Sequence, residues 1–280
     1  MLQQLITNAL QEDIGSGDYS TLCCIESNQK GKAILKIKQD CVLAGVEVAK
    51  EIFKQVEPSH IFHQHKNDGD KVVFGEVAFE VEARIHTILK CERLVLNTMQ
   101  RMSGIATLTS VYVEKLKPYK TQILDTRKTT PNFRLLEKQA VKIGGGMNHR
   151  FGLYDMIMLK DNHIDYCGGI EKAINKAWNY VQANQLNIKI EVETRNIEDV
   201  KKVCECGVGK VDRVMLDNFK PEQIGDALKL INNQFETEAS GGITLENIES
   251  YAATGVNFIS VGALIHQACS VDLSLKAIIH

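Results

Sequence analysis

Seven basic side chains, Arg127, Lys128, Arg134, Lys138, Lys142, Arg150 and Lys160, lie between Asp125 and His163, opposed only by Asp125, Glu137, Asp155 and Asp161. Over all 280 residues the formal net charge is -2, so this basicity is local. Two like charges about 6 Å apart at an effective dielectric of about 20 repel by roughly 3 kcal/mol, so neighbours such as Arg127 and Lys128 settle only when solvated or facing an anion. The chemistry that suits these residues is the grip of a small polyanion. Guanidinium forks match planar carboxylates, and lysines neutralise phosphate oxygens.

Hydrophobic period identifies the elements that must carry these groups. Residues 1–102 read as an α+β domain, in which GKAILKIKQDCVLAG and VAFEVEARI alternate as strands and GVEVAKEIFKQV is helical. Phe79, Val81 and Ala83 there oppose Glu80, Glu82 and Arg84. In residues 103–280 short apolar strands at 121–125, 156–160, 187–193, 213–217, 235–240 and 256–262 each precede a helical stretch, which implies a parallel sheet. Thr130 caps a helix with Pro131 at its first position, and Phe133, Leu136 and Ala140 form a stripe that stops near Gly144. Later helices begin near Gly169, Asn196, Pro221 and Thr244. Six strands are too few for an eight-unit barrel of about 250 residues, so an open, incomplete α/β barrel is expected. Active sites of such barrels sit at the carboxyl ends of the strands. Those ends carry Asp125 with Arg127 and Lys128, then Lys160, Glu193, Asp217, Ser240-Gly241-Gly242 and Gly262, and the two glycine-bearing loops suit a phosphate.

In chain order, ERLVLNTMQRMSGIAT, DTRKTTPNFR, GGGMNHR, LKDNHI, EVE, LDNFKPE, EASGGITLENI and SVGALI resemble the quinolinate phosphoribosyltransferases over nearly the whole chain. The resemblance implies an N-terminal α/β sandwich, a C-terminal open α/β barrel, and a homodimer with shared active sites, sometimes built into a hexamer. It implies transfer of the phosphoribosyl group of phosphoribosyl pyrophosphate to quinolinate with decarboxylation, giving nicotinate mononucleotide for de novo NAD biosynthesis. Catalytic roles then fall to Lys128, Lys160, Glu193 and Asp217. Arg127, His149, Arg150 and Lys160 would clamp quinolinate, with Arg93 entering from the other subunit. Thr126, Lys128, Lys160, Ser240, Gly241, Gly242 and Gly262 would complete the substrate contacts, most of them to phosphate oxygens. Mg²⁺ would arrive with phosphoribosyl pyrophosphate, near Glu193 and Asp217 but without a dedicated cage, and no organic cofactor is implied. Asn132 departs from the pattern, since many relatives have Gly after the Pro.

Plainer readings stand beside these. Arg134, Lys138 and Lys142 recur at a spacing of four and read as a solvated helix face. Glu191 reads as pointing away from the pocket mouth, opposite Glu193, and both Glu193 and Asp217 also read as mere neutralisers of nearby bases. His149 reads as a ligand contact or as a satisfied structural histidine, and His163 as orienting the Lys160-Asp161-Asn162 turn. Helical HTILKCERLVLNTMQRM carries one apolar stripe (Ile88, Cys91, Val95, Met99, Met102) and a second one, Leu89 and Leu96 beside Arg93, that calls for another partner. The eight cysteines show no paired-motif spacing and read as reduced thiols, while His60, His63 and His65 read as a solvated loop and strand edge. A pI near 6.5 argues against nucleic acid or an anionic membrane as partner. No apolar run approaches the ~18 residues of a membrane span and the first residues lack a basic, apolar leader, so a cytoplasmic protein is expected. Two other classes remain: a phosphoribosyltransferase for a different carboxylated ring, which would alter the clamp, and a non-catalytic paralogue, which would have lost Lys160, Glu193 or Asp217.

Overall fold

The computed structural model describes residues 1–278. In chain order the elements are α1 (Leu2–Ile14), α2 (Tyr19–Cys24), β1 (Lys30–Ile37), β2 (Cys41–Val42), α3 (Val46–Val56), β3 (Ile61–Gln64), β4 (Lys71–Val72), β5 (Val77–Arg84) and α4 (Ile85–Leu116). There follow β6 (Gln122–Leu124), α5 (Arg134–Ile143), β7 (Met156–Leu159), α6 (Asp161–Cys167), α7 (Ile170–Ala183), β8 (Lys189–Thr194), α8 (Ile197–Cys206) and β9 (Arg213–Asp217). The chain ends with α9 (Pro221–Ile231), β10 (Glu236–Ser240), α10 (Ile248–Ala252), β11 (Phe258–Ser260), α11 (Ala263–His266) and β12 (Leu273–Ile278). It divides into two compact units.

One unit comprises Met1–Ser110, Thr129–Gly145 and the chain from Leu264 onward. Its antiparallel sheet has the order β12-β1-β5-β3. Alternation builds it: Phe79, Val81 and Ala83 are buried, and Leu35 faces Phe79 across the strands while Glu80 and Glu82 turn outward to Lys32. Residue 102 lies inside α4, whose Ile88, Cys91, Val95, Met99 and Met102 are all buried, and β12, far along the chain, joins β1. A cut between residues 102 and 103 therefore coincides with no break in the backbone, because local period reports element type and not the sheet that an element joins. Helix α5 starts at Arg134, later than expected, because Thr130 to Phe133 form a turn in which Asn132 takes φ 62. That left-handed conformation favours Gly and, next, Asn, which suits Asn132 to this turn.

The other unit, Val111–Lys128 and Gly146–Ala263, holds a six-stranded sheet in the order β6-β11-β10-β9-β8-β7, with every neighbouring pair parallel. β6 and β7 are the two edges, so the barrel is open. All six expected strands are present, and the Asn196 side chain caps α8 by accepting from the Asp199 N–H. Pro221 opens α9 at its first turn, where its missing N–H costs nothing. Ile190, Val192, Val214, Leu216, Ala239 and Ile259 bury one face of the sheet. Among the described residues, no helix is long and apolar enough to cross a membrane.

Candidate active site

Parallel register fixes which residues share the other face. Met158 pairs with Glu191, Glu191 with Arg213, Arg213 with Glu236, and Glu238 with both Met215 and Phe258. Side chains alternate with a period of two, so the same face carries Glu193, Asp217 and Ser240, and just beyond their strands Lys160 and Gly262. These are the residues that the sequence places at the carboxyl ends. Glu191 belongs to this face too, which corrects the expectation that it points opposite Glu193: residues two apart in a strand point the same way. It is fully buried, one layer below Glu193.

Beside β6, residues 147–150 close part of the open edge. Leu124 bridges to Met147, and buried Asp125 accepts from the His149 N–H at 2.8 Å and from Asn148 Nδ2 at 2.6 Å. The Arg150 N–H in turn donates to His149 Nδ1 at 2.8 Å, and Arg150 Nη1 donates to the Met156 carbonyl. Burial first and the charge of Arg127 second hold the Arg150 guanidinium below the usual arginine range. Arg127 and Lys128 are exposed, and Thr126 Oγ1 accepts from the Lys128 N–H.

Beneath Arg150 lies a buried ionic layer that sequence reading missed. His149 Nε2 is 2.9 Å from Glu191 Oε2 and 3.5 Å from Glu238 Oε2. Arg213 Nη1 donates to Glu238 at 2.9 Å and Nη2 to Glu236 at 3.1 Å, with its guanidinium 4.0 Å from the Phe258 ring centre. Burial opposes a charged His149 ring, but Glu191 and then Glu238 outweigh it and raise the ring to about 9. Burial, then the charge of Glu238, raises the Glu191 carboxyl to about 7. The Arg150 N–H aimed at Nδ1 nevertheless opposes a second ring proton, so the ring is neutral, with its one proton on Nε2 facing Glu191. With the ring neutral, Glu191 and Glu238 as carboxylates and Arg213 sum to -1, in keeping with the raised Glu191 carboxyl, whose protonation brings the layer to zero.

At the rim, Lys160 Nζ lies 3.2 Å from Glu193 Oε2, and its N–H donates to His163 Nδ1, the turn-orienting role expected of His163. Asp217 is held by Asn218, whose Nδ2 donates to Oδ2 at 2.7 Å and whose N–H donates to the Ser240 carbonyl. Asn218 itself sits at φ 58, and a Cβ on Gly241 would approach its Oδ1 to 2.2 Å. The glycine therefore lets the loops after β9 and β10 interlock. Glu193 and Asp217 offer hard oxygens suited to Mg²⁺ shared with a phosphate.

In the other unit, Arg93 is exposed on α4 with Glu92 Oε1 at 3.4 Å, and Leu89 is exposed, but Leu96 is buried within the chain, so the second stripe is shorter than expected. Lys138 is 2% exposed, which overturns the solvated-face reading: α5 buries Leu136, Glu137, Lys138, Ala140 and Val141, most of its circumference, and of the three bases only Lys142 is exposed. Glu137, fully buried, accepts from Arg101 Nε and Nη2 and from the N–H and hydroxyl of Thr130.

Family models described as the C-terminal and N-terminal domains of quinolinate phosphoribosyl transferase match residues 105–276 and 18–103. A decarboxylating quinolinate phosphoribosyltransferase (1b) of Nicotiana tabacum is 44% identical over 98% of this chain and 82% of its own length. A probable carboxylating nicotinate-nucleotide pyrophosphorylase of Bacillus subtilis (strain 168) is 42% identical, covering 98% and 92%. The crystal structure of NadC from Streptococcus pyogenes superposes with a TM-score of 0.91 at 38% identity, over 99% of this chain and 97% of that one. Two domain matches in tandem, relatives matched over 98% of this chain and a superposition with a TM-score of 0.91 agree: the chain belongs to the quinolinate phosphoribosyltransferase family.

Proposed function

We propose that this protein transfers the phosphoribosyl group of phosphoribosyl pyrophosphate to quinolinate and decarboxylates the product to nicotinate mononucleotide, releasing pyrophosphate and CO₂. The observation that carries the reading is the register of the parallel sheet, which brings Lys160, Glu193, Asp217 and Ser240 to one face at the strand ends, alongside the 147–150 segment that bears Arg150. Arg127, Arg150 and Lys160 grip the two carboxylates of quinolinate; His149, with both ring nitrogens facing partners in its own chain, serves through Arg150. Lys128 and Lys160 neutralise phosphate oxygens. Thr126, Ser240, Gly241, Gly242 and Gly262 supply hydroxyl and backbone contacts for the 5′-phosphate. Glu193 and Asp217 face the ribose hydroxyls. Mg²⁺ held on the pyrophosphate would lower the charge of the departing group.

The two carboxylates of quinolinate adjoin on one ring, and the clamp sets that ring's nitrogen against C1 of the ribose as the C1–O bond to pyrophosphate breaks. The ring nitrogen then carries positive charge. When the C–C bond to the adjacent carboxylate breaks, its electron pair remains on the ring carbon beside that charge and takes up a proton, and CO₂ departs. No covalent lysine is needed, and Lys160, paired with Glu193, acts by charge. Each site is completed by Arg93 of a second copy, a reading supported by the exposure of Arg93 and Leu89 on α4.

The test is to incubate the pure protein with phosphoribosyl pyrophosphate, Mg²⁺ and either quinolinate or nicotinate. Nicotinate mononucleotide should form from quinolinate and stop with a chelator, with nicotinate a poor substrate because a monocarboxylate leaves clamp cations unpaired. Equal turnover of nicotinate, or full activity in chelator, would contradict the assignment.

A further inference from the structure

We propose that Glu191 is a positioning residue for the dicarboxylate clamp, acting through His149 on Arg150. The inference deepens the reading above and rests on it. Glu191 is fully buried a layer below the strand ends, so its nearest route to a substrate runs through other side chains. That route is short. Glu191 Oε2 meets His149 Nε2 at 2.9 Å, the far ring nitrogen accepts the Arg150 N–H at 2.8 Å, and the His149 N–H is tied to Asp125 at 2.8 Å. The imidazole is thus gripped at both edges while its backbone is anchored to the end of β6, and Arg150 follows directly.

Glu238 and Arg213 back the arrangement from the neighbouring strands, at 3.5 Å from Nε2 and 2.9 Å from each other. The chemical make-up of this layer is what points to placement. Layers inside α/β barrels are commonly filled by Val, Ile and Leu, and a buried ionic group is often no more stabilising than an apolar one of like volume. An ionic layer directly under an arginine clamp is explained by directionality, which an aliphatic side chain lacks.

Two substitutions separate placement from bulk. Glu191→Gln retains an oxygen to accept the Nε2 proton and leaves Glu238 and Arg213 balanced, whereas Glu191→Leu fills similar volume with no acceptor. Quinolinate KM should stay within about threefold of wild type for Glu191→Gln and rise about tenfold or more for Glu191→Leu, while phosphoribosyl pyrophosphate KM moves less than about twofold in both. The same contrast should appear in quinolinate affinity by calorimetry, which needs no turnover. Unchanged quinolinate KM and affinity in folded Glu191→Leu, equal shifts for both substrates, or equal damage in Gln and Leu would overturn the proposal. If Glu191→Leu does not fold, Glu191→Ser takes its place with the same readings, and failure of both to fold would also overturn it, since Glu191 would then support the barrel itself. An inactive wild type whose quinolinate affinity still follows the contrast would count against the assigned reaction and not against Glu191.

Discussion

Burial first, and then the like charge of Arg127, disfavours the charged Arg150 guanidinium, and in the proposed clamp an incoming dicarboxylate would offset both. Arg127→Ala and Arg150→Ala should each weaken quinolinate binding by about 2–5 kcal/mol. Calorimetry is the check, with melting temperatures close to wild type for Arg127→Ala, whose side chain is exposed. A second consequence concerns pH. The Glu191 carboxyl binds its proton more tightly in the folded chain than in the unfolded one, whose reference value is 4.5. The stability this contributes is therefore full below that value and is lost as pH rises through about 7. Melting temperature should fall across this window, and the fall should flatten in Glu191→Leu; a flat wild-type profile would contradict the raised Glu191 carboxyl. The placement of Lys160, Glu193 and Asp217 at strand ends was legible in sequence, because short apolar runs set where each strand stops. Glu191, Asn218 and Glu137 were not, because each acts on another protein group and such partners are set by register and loop packing.

Elements show the same division between local and distant information. The six parallel strands carry their own signal in short apolar runs, and Pro221 and Asn196 mark helix starts by the chemistry of the first turn. Spacing of four does place Arg134, Lys138 and Lys142 on one side of α5, yet it cannot say how much of a helix its surroundings cover. Lys138→Ala should therefore destabilise the protein by about 2–4 kcal/mol by chemical denaturation, since a buried side chain is lost and its surroundings are left unfilled. Gly104 is equally specific to its place in α4: a Cβ there would come within 2.0 Å of the Cys269 carbonyl oxygen. Gly104→Ala should cost about 1–3 kcal/mol or force α4 and the 264–278 segment apart, read as lost melting temperature, although alanine improves helix propensity at a solvent-exposed site. A variant as stable as wild type would show that this close approach is not maintained in solution.

At the scale of the whole molecule, the fold class follows from counting strands, whereas the pairing of β1 with β12 joins the two ends of the chain and leaves no local trace. Assembly is tested by complementation. Inactive Arg93→Ala and inactive Lys160→Ala proteins, mixed under conditions of subunit exchange, should recover about a quarter of wild-type activity, because about half the dimers are mixed and each has one intact site of two. Exchange without recovery would confine Arg93 to its own subunit. The reaction itself is tested most directly with quinolinate labelled in the carboxylate next to the ring nitrogen. Labelled CO₂ should appear only when phosphoribosyl pyrophosphate is present, one for each pyrophosphate released, and should vanish in Lys160→Ala. Release of CO₂ without phosphoribosyl pyrophosphate, or a nucleotide product that keeps the label, would contradict a mechanism in which the ribosylated ring nitrogen is the electron sink.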